Sequence, residues 1–249
     1  MDDNRTIIKA FTDIASQYEQ VVDNELRNFW GWSYTSFVDT LLEFTPVNDE
    51  DIILDVATGT AVIPIKLTKG GVRIRRIIGL DITFAMLEKA KAKINRNGLV
   101  EVINLTCASA MKMPFSSGAF NVILCGLATH HMDVPLLLTE MKRLLKHEGH
   151  LTIADAGGSP AWRLPVINLL IRMATFIYFL LTQSLSRAFA EAMALYNVRT
   201  IDEWQDLLLK IGFTEIKINK LASKYFWAPA PLIIRATTQK SETKYAHCG

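Results

Sequence analysis

The chain has 249 residues, half of them hydrophobic, which is enough for one domain with a sizeable core. Its 27 basic and 25 acidic residues nearly balance, so the composition gives no support for nucleic-acid binding through a general basic field. Three cysteines (Cys107, Cys125 and Cys248) lie far apart without a CxxC pair, which argues against a disulfide framework or a zinc site and fits a reducing cytoplasm.

The N-terminal region reads as helical. It has no basic stretch followed by an apolar core, so a secretory signal is not expected. Apolar residues at helical spacing predict one helix over residues 5–22 and another over 33–44, with Ser33 as the N-cap of the second.

From residue 51 onward, strand and helix patterns alternate, which predicts an α/β fold with a parallel sheet and helices on both faces. One helix opens with a capping box formed by Thr200 and Glu203. The predicted strands are 51–56, 74–80, 101–107, 120–126, 150–156, 213–221 and 231–238, and the predicted helices are 61–68, 84–96, 134–146, 165–195 and 201–211.

Residues 164–182 form the most apolar stretch, interrupted by Asn168, Arg172 and Thr175. A central arginine is costly inside a bilayer, so we expect a buried or interfacial helix and not a membrane span. Three environments stay open for it: the protein core, the wall of an apolar substrate pocket, and a surface that contacts lipid.

The stretch ILDVATGTAVIPIKL, residues 53–67, is typical of a nucleotide-binding turn between a strand and a helix. The strand ends in Asp55, and a turn of small residues follows. This turn contains one glycine, Gly59, whereas dinucleotide-binding loops normally contain three. The next strand ends in Asp81, and an acid there can accept hydrogen bonds from ribose hydroxyls. We expect the Asp81 carboxylate to be solvated.

Several further segments carry a family resemblance when taken in order. They are AFTDIASQYE (10–19), ILDVATGT (53–60), GLDITFAMLEKAKAK (79–93), MPFSSGAFNVI (113–123), THHMDVPLLLTEMKRLLKHEGHLTIAD (129–155) and TIDEWQDLLLKIGF (200–213). With them the chain resembles class I S-adenosylmethionine-dependent methyltransferases, and it is similar to the group that includes the ubiquinone and menaquinone biosynthesis enzymes. The resemblance runs from about residue 10 to about 220, except roughly 157–197.

The resemblance implies a single domain built on a Rossmann-like, doubly wound, mostly parallel seven-stranded sheet. Its parts would follow in chain order: an N-terminal helical lid (1–48), a cofactor-binding core (49–156), an apolar helical substrate cover (157–198), the C-terminal part of the core (199–240) and a disordered tail (241–249).

The resemblance also implies S-adenosylmethionine as cofactor and S-adenosylhomocysteine as product. Asp55 would lie near the methionine amino group, and Asp81 would hold the ribose. The turn would border the methionine part, Ile82 and Met86 would pack near the adenine, and Ser109 and Ala110 would meet its edge. The full set of expected cofactor residues is Asp55, Ala57, Thr58, Gly59, Thr60, Asp81, Ile82, Met86, Ser109, Ala110, Met111 and Cys125.

Three residues depart from the family pattern. Ala61 replaces the usual third glycine, Val62 replaces an acid common in the quinone group, and Ser109 replaces an Asp or Asn that faces the adenine amine. A serine is a weaker acceptor than a carboxylate, which lowers cofactor affinity by about 1 kcal/mol. These departures argue against a straightforward quinone-pathway enzyme.

His130 and His131 follow the fourth strand and are the main catalytic candidates, either as a general base or as structural hydrogen-bonding groups. Tyr18 and Asp155 are lesser candidates. No metal is expected, because adjacent histidines in an extended loop rarely converge and the sequence shows no third ligand.

The expected substrate residues are apolar or aromatic with two polar members: Phe11, Trp30, His130, Arg172 and Phe176. Such surface suits a quinone-like, prenylated or polyketide-like acceptor, although the same side chains could simply pack helices together. Arg172 could be a snorkelling charge or a partner for an acidic substrate group.

The sequence therefore predicts methyl transfer to O or C of a hydrophobic small molecule. The alternatives are a cyclase or isomerase that keeps the cofactor as a structural element, and a binding module that has lost it, against which Asp55, Gly59 and Asp81 argue. A cytoplasmic location is expected, and peripheral membrane contact and oligomeric state stay open.

Overall fold

A computed structural model describes residues 3–225 and 230–239. The expected tail at 241–249 and Cys248 lie outside the described residues.

Seven strands form one sheet, as predicted. β1 to β5 run parallel to one another, β7 runs antiparallel to β5, and β6 pairs antiparallel with β7, in the spatial order β3-β2-β1-β4-β5-β7-β6. The strands are β1 (Ile52–Val56), β2 (Arg76–Asp81), β3 (Ile103–Cys107), β4 (Phe120–Gly126), β5 (Leu145–Ala156), β6 (Phe213–Lys220) and β7 (Pro231–Thr238).

Helices cover both faces of the sheet, which confirms the predicted fold class. Thr200 and Glu203 form the predicted capping box, and Ser33 accepts a hydrogen bond from the Ser36 amide at 3.0 Å as the predicted N-cap. The helices are α1 (Asp3–Ile14), α2 (Tyr18–Phe29), α3 (Tyr34–Glu43), α4 (Val62–Leu67), α5 (Phe84–Arg96), α6 (Val134–Leu144), α7 (Pro165–Thr182), α8 (Leu185–Ala194) and α9 (Ile201–Ile211).

The single helix predicted over 5–22 is wrong. The chain breaks at residues 15–17, and the second helix continues to Phe29. The break has a packing reason, because α1 lies against α5 and α8 whereas α2 packs on α3. One straight helix could not reach both sets of partners.

Two other differences from the prediction are larger than two residues. The helical region 165–195 is divided at Gln183 and Ser184, and the Ser184 side chain accepts a hydrogen bond from the Arg187 amide at 3.2 Å as the N-cap of α8. β5 begins at Leu145, five residues early, because Leu145 pairs with Phe120 across an irregularity in the β4–β5 ladder.

The alternation of side chains along β1 divides the core between the two faces. Leu54 and Val56 pack with α6 and α9, whereas Ile53 packs with α3, α4 and α5. With both faces covered, the loops after β1 to β4 all emerge at the carboxyl edge of the parallel strands, where α/β folds bind ligands.

Helix α7 differs from the core helices. Only 6% of its 18 residues are buried, so the interpretation as a core helix is wrong. Among the described residues it is the helix long and apolar enough to cross a membrane by length and composition, with a mean hydropathy of 1.7.

Candidate functional site

The turn after β1 achieves its sharp shape with a single glycine. Ala57, Gly59 and Ala61 all have positive φ angles, of 57°, 54° and 61°. Alanine tolerates this left-handed conformation at a cost of roughly 1–2 kcal/mol relative to its normal conformations. The turn packs directly against Gly79 of β2, because a Cβ added at Gly79 would lie only 2.8 Å from the Thr58 Oγ1.

Asp81 fixes this turn from the end of β2. Its Oδ2 accepts a hydrogen bond from the Gly59 amide at 2.9 Å, and its Oδ1 accepts one from the Thr83 amide at 2.8 Å. The side chain is buried, so the expectation of a solvated carboxylate is wrong. Burial raises its pKa, and the two amide hydrogen bonds oppose that rise.

Asp55 at the end of β1 is fully buried and incompletely paired. Its Oδ2 accepts a hydrogen bond from the Thr58 hydroxyl at 2.6 Å, but its Oδ1 has no partner among the described residues. Burial raises the pKa of Asp55 to about 7; the Thr58 hydrogen bond opposes this rise and the charge of Asp81 adds to it. A cationic donor would satisfy the orphaned oxygen.

A cavity of about 510 Å³, the cofactor cleft, opens along the carboxyl edge, with a smaller cavity of about 60 Å³ beside it. Residues from the ends of β1, β2 and β3 line these spaces, as the sequence predicts. The predicted cofactor residues that line one or both are Ala57, Gly59, Asp81, Ile82, Met86, Ser109, Ala110 and Met111.

Four predicted cofactor residues do not line the cleft. Asp55 and Thr58 lie beneath the turn, joined by their hydrogen bond. The Thr60 hydroxyl is engaged with Glu19 and Lys93, away from the cleft. The side chain of Cys125 belongs to the hydrophobic core, where burial raises its pKa, and its neighbour Gly126 lines the small cavity instead.

The sequence analysis missed residues that reach the cleft from distant parts of the chain. Pro135 at the start of α6 lines it, as do Asn197 and Arg199, which follow α8. Asn197 and Arg199 lie outside the family segments, and only the return of the chain after α8 brings them to the sheet edge.

A second cavity of about 510 Å³, the apolar cavity, lies under helices α1, α2, α7 and α8. Of the predicted substrate residues, Phe11, Trp30 and His130 line it. Further apolar residues complete the wall, among them Leu26, Phe29, Ile171, Tyr178 and Phe179.

Arg172 and Phe176 do not line the apolar cavity, so this part of the substrate prediction is wrong. Arg172 donates from Nε to the Ala192 carbonyl at 3.1 Å, and its guanidinium lies 4.0 Å from the centre of the Tyr196 ring. The ring of Phe176 meets that of Phe189 at 5.0 Å. Both side chains join α7 to α8 instead.

His130 and Asp155 form a buried pair at the end of β4 and β5. Asp155 accepts hydrogen bonds from the His130 amide at 3.0 Å and the Thr129 hydroxyl, and its Oδ1 lies 2.5 Å from the His130 Nδ1. Burial alone would lower the pKa of His130, but the charge and hydrogen bond of Asp155, together with the charge of Glu191, raise that pKa. With Nδ1 donating to Asp155, the Nε2 lone pair of a neutral His130 can accept a proton.

His131 stands at the junction of the two cavities and lines both. Its Nε2 lies 3.3 Å from the Glu191 carboxylate, and its Nδ1 is buried without a partner in the part of the chain that the structure describes. The edge of the Phe11 ring contacts it at 5.3 Å between centroids. Burial and the neighbouring His130 lower the pKa of His131, so it is neutral near pH 7.

A buried ion cluster that the sequence analysis missed borders this junction. The Arg187 Nη2 lies 2.9 Å from Glu191 and 3.3 Å from Glu25, and the guanidinium lies 4.6 Å from the Phe11 ring centre. Burial alone would raise the pKa of Glu191, but the charge of Arg187, together with His131 and His130, lowers the pKa of that carboxyl.

Glu191 also supplies the third potential metal ligand that the sequence did not reveal. Its carboxylate and one ring nitrogen each of His130 and His131 lie within 4.8 Å of one another. Arg187 already neutralises Glu191, however, and its positive charge opposes a cation at the same place.

Tyr18 covers the turn after β1 and lines both the apolar cavity and the small cavity. A Cβ on Gly59 would lie 3.5 Å from its ring. Burial raises the pKa of Tyr18 well above its ordinary value, so its hydroxyl stays protonated. It can donate a hydrogen bond, but it is unsuited to the role of general base that the sequence left open.

The geometry is that of a nucleoside-binding α/β fold joined to an apolar ligand pocket. A family model described as a methyltransferase domain matches residues 54–153. Among solved structures, the chain superposes on the YcgJ protein of Bacillus subtilis with a TM-score of 0.62 at 15% identity, covering 83% of this chain and 100% of that one. Residues 54–153 match that domain, and the fold is similar to that of class I S-adenosylmethionine-dependent methyltransferases.

Within that class, the chain is similar to demethylmenaquinone methyltransferases. It is 30% identical to that of Lactobacillus johnsonii over 149 residues, which cover 58% of each protein, less than two thirds of that relative's length. It is 25% identical to that of Bacteroides fragilis over 233 residues, which cover 86% of each. S-adenosylmethionine is the cofactor of this class, and the orphaned Asp55 oxygen beneath the turn fits its ammonium group.

Proposed function

We propose that the protein transfers the methyl group of S-adenosylmethionine to an oxygen or carbon atom of a hydrophobic small molecule. The observation that carries this proposal is the position of His131, which lines both the cofactor cleft and the apolar cavity. A methyl donor in one space and an acceptor in the other would meet at this residue, which is the alignment that direct transfer requires.

The charged, polar and apolar residues at the cleft support a specific arrangement of the bound cofactor. Asp55 would pair with the ammonium group, and the free lone pairs of Asp81 would accept the ribose hydroxyls. Ile82 and Met111 would flank the adenine, and Ser109 would offer its hydroxyl to the adenine edge. The Ser109 oxygen already accepts a hydrogen bond from the Met111 amide at 3.2 Å, which limits what it adds.

The His130–Asp155 pair would supply proton transfer. Asp155 holds the imidazole so that Nε2 can take a proton from a phenol, an enol or an activated carbon. A positioned base contributes about 10²–10⁴-fold to the rate. Bound cofactor supplies the electrophilic methyl group, so the protein has to orient the acceptor, exclude water and remove this proton.

The walls of the apolar cavity support a quinone-like, prenylated or polyketide-like acceptor. Phe29, Trp30 and Tyr178 present aromatic surface, and Leu26 and Ile171 present aliphatic surface. The 157–198 segment thus serves as the cover of the substrate site in this proposal. A cytoplasmic location is part of it too, supported by the unpaired thiols of Cys107 and Cys125.

The test combines binding with product analysis. We expect micromolar affinity for S-adenosylmethionine and S-adenosylhomocysteine by calorimetry, and a product heavier by one methyl group when the enzyme meets hydroquinone or polyphenol acceptors with apolar tails. His130→Gln should lower turnover and leave cofactor affinity unchanged, whereas His150→Gln, a histidine on β5 remote from both cavities, should change neither.

A product of unchanged mass would favour the cyclase or isomerase alternative. Failure of a folded, cofactor-free protein to bind either compound would refute the proposal.

A further inference from the structure

One side of α7 exposes an uninterrupted apolar stripe. Val166, Leu169, Leu170, Met173, Ile177, Leu180 and Leu181 are 43–79% exposed. Their spacing of three, four and seven residues places them on one face along the whole helix, about 27 Å long. The opposite face of α7, with Ile171, Thr175 and Tyr178, lines the apolar cavity.

Helix α8 extends this surface. Leu185, Phe189 and Met193 are exposed at intervals of four residues, and so form a second stripe. The contact between Phe176 and Phe189 and the hydrogen bond from Arg172 to the Met193 sulfur at 3.4 Å join the two stripes. We call the combined surface the α7–α8 face.

Such a face is unusual on a soluble monomer. Exposed apolar patches of more than a few hundred Å² mark interaction sites, and this one combines ten large apolar side chains on two adjoining helices. Its inner side is already occupied by the cavity wall, so repacking α7 inward would fill the proposed substrate site.

The charged residues of this region indicate which kind of partner covers the α7–α8 face. From residue 156 to residue 190 the sequence contains no Asp or Glu, whereas it contains Arg163, Arg172 and Arg187. Arg187 is buried and Arg163 pairs with Glu203, which leaves Arg172 as the cation of the face. Among the described residues, Arg172 contacts a carbonyl, a hydroxyl and a thioether, and none of these is an anion.

A second copy of the chain fits this face poorly. In a two-fold contact the same surface meets itself, so two copies of Arg172 would enter one apolar interface where neither stripe offers a carboxylate. Lipid headgroups supply the missing anion, and the acyl region takes up the leucine stripe, as for helices that lie in a membrane interface.

We propose that the α7–α8 face docks on the surface of an anionic lipid bilayer, with the leucine stripe of α7 at the boundary between headgroups and acyl chains. The inference goes beyond the proposed methyl transfer and does not depend on it. It places the cavity wall that α7 forms next to the bilayer.

The test is co-sedimentation with vesicles of equal parts phosphatidylcholine and phosphatidylglycerol, using the full chain. We expect the wild type to bind these vesicles and to bind pure phosphatidylcholine vesicles more weakly. Leu170→Ser and Leu181→Ser, at positions 60% and 79% exposed, should each weaken binding about tenfold because each removes a leucine from the buried stripe. Leu209→Ser on α9, at a position 55% exposed, is the matched control and should bind as the wild type does.

Circular dichroism and sedimentation velocity complete the design. A monomeric, folded wild type that fails to bind either vesicle overturns the inference. A wild-type dimer that either stripe variant converts into monomers also overturns it, because the face is then buried between copies. Equal loss of binding in Leu209→Ser and in the stripe variants would show that the stripe is not the docking surface.

Discussion

Lowering the pH from 7 to 5 should weaken cofactor binding, and Asp55 is the reason. Its carboxylate is buried at the end of β1, its pKa is raised to about 7, and its Oδ1 has no partner within residues 3–225 and 230–239. In our proposal the ammonium group of the cofactor supplies that partner. Only the ionised carboxylate attracts an ammonium ion, so a proton on Asp55 competes with the ligand.

The size of the effect follows from the pKa. Half of Asp55 is ionised at pH 7 but only about 1% at pH 5, so the affinity should fall about fiftyfold over this interval. The folding stability of the ligand-free protein changes with pH in the opposite direction, because it falls as the pH rises. The folded-state pKa lies above the ordinary 3.8, so this group's contribution to stability is lost as pH rises from about 4 through 7. Its full loss is on the order of 4 kcal/mol.

Titration calorimetry with S-adenosylhomocysteine at pH 5, 6 and 7 measures the effect, with Asp55→Asn as the isosteric control. The variant should bind weakly with little dependence on pH, and without ligand it should unfold at a higher temperature than the wild type at pH 8. A wild-type affinity that stays constant from pH 7 to pH 5, or an Asp55→Asn variant with wild-type affinity at pH 7, would refute the assignment.

Three other substitutions probe separate parts of the site. Gly79→Ala should destabilise the fold by about 1–3 kcal/mol in denaturant titrations and weaken cofactor binding, because the new Cβ would displace Thr58 beneath the turn. Wild-type stability and affinity in this variant would show that the turn does not depend on its contact with Gly79. Asp155→Asn should move the rise of the pH–rate profile to lower pH, because it removes the negative charge that raises the His130 pKa against burial; an unmoved profile would exclude His130 as the base. Ala174→Phe should raise the acceptor KM while the affinity for S-adenosylhomocysteine stays unchanged, since it fills only the apolar cavity; an unchanged KM would place the acceptor elsewhere.

The sheet could be predicted from the sequence because its strands are buried and bounded by clear turn signals. The β4 and α5 boundaries agree with the prediction at both ends. The helical regions were harder to divide, since apolar periodicity continues through the breaks at 15–17 and at Gln183. Tertiary partners decide those breaks, and a local pattern carries no information about them.

The residues of the candidate site also fall into those that the sequence could locate and those that it could not. The cofactor residues at strand ends could be located because parallel strands bring their carboxyl ends to one edge. Arg172 was misplaced because helical spacing does not reveal which face of α7 turns inward. The Glu25–Arg187–Glu191 cluster escaped notice because its members come from two helices far apart in the chain.

The central claim is that the reactive end of the cofactor faces the apolar cavity at His131. A crystal structure of the complex with S-adenosylhomocysteine tests it most directly. The account predicts the ribose at Asp81, the adenine between Ile82 and Met111, and the sulfur directed past His131 toward the apolar cavity. A ligand bound elsewhere, or a sulfur separated from the apolar cavity by protein, would contradict it.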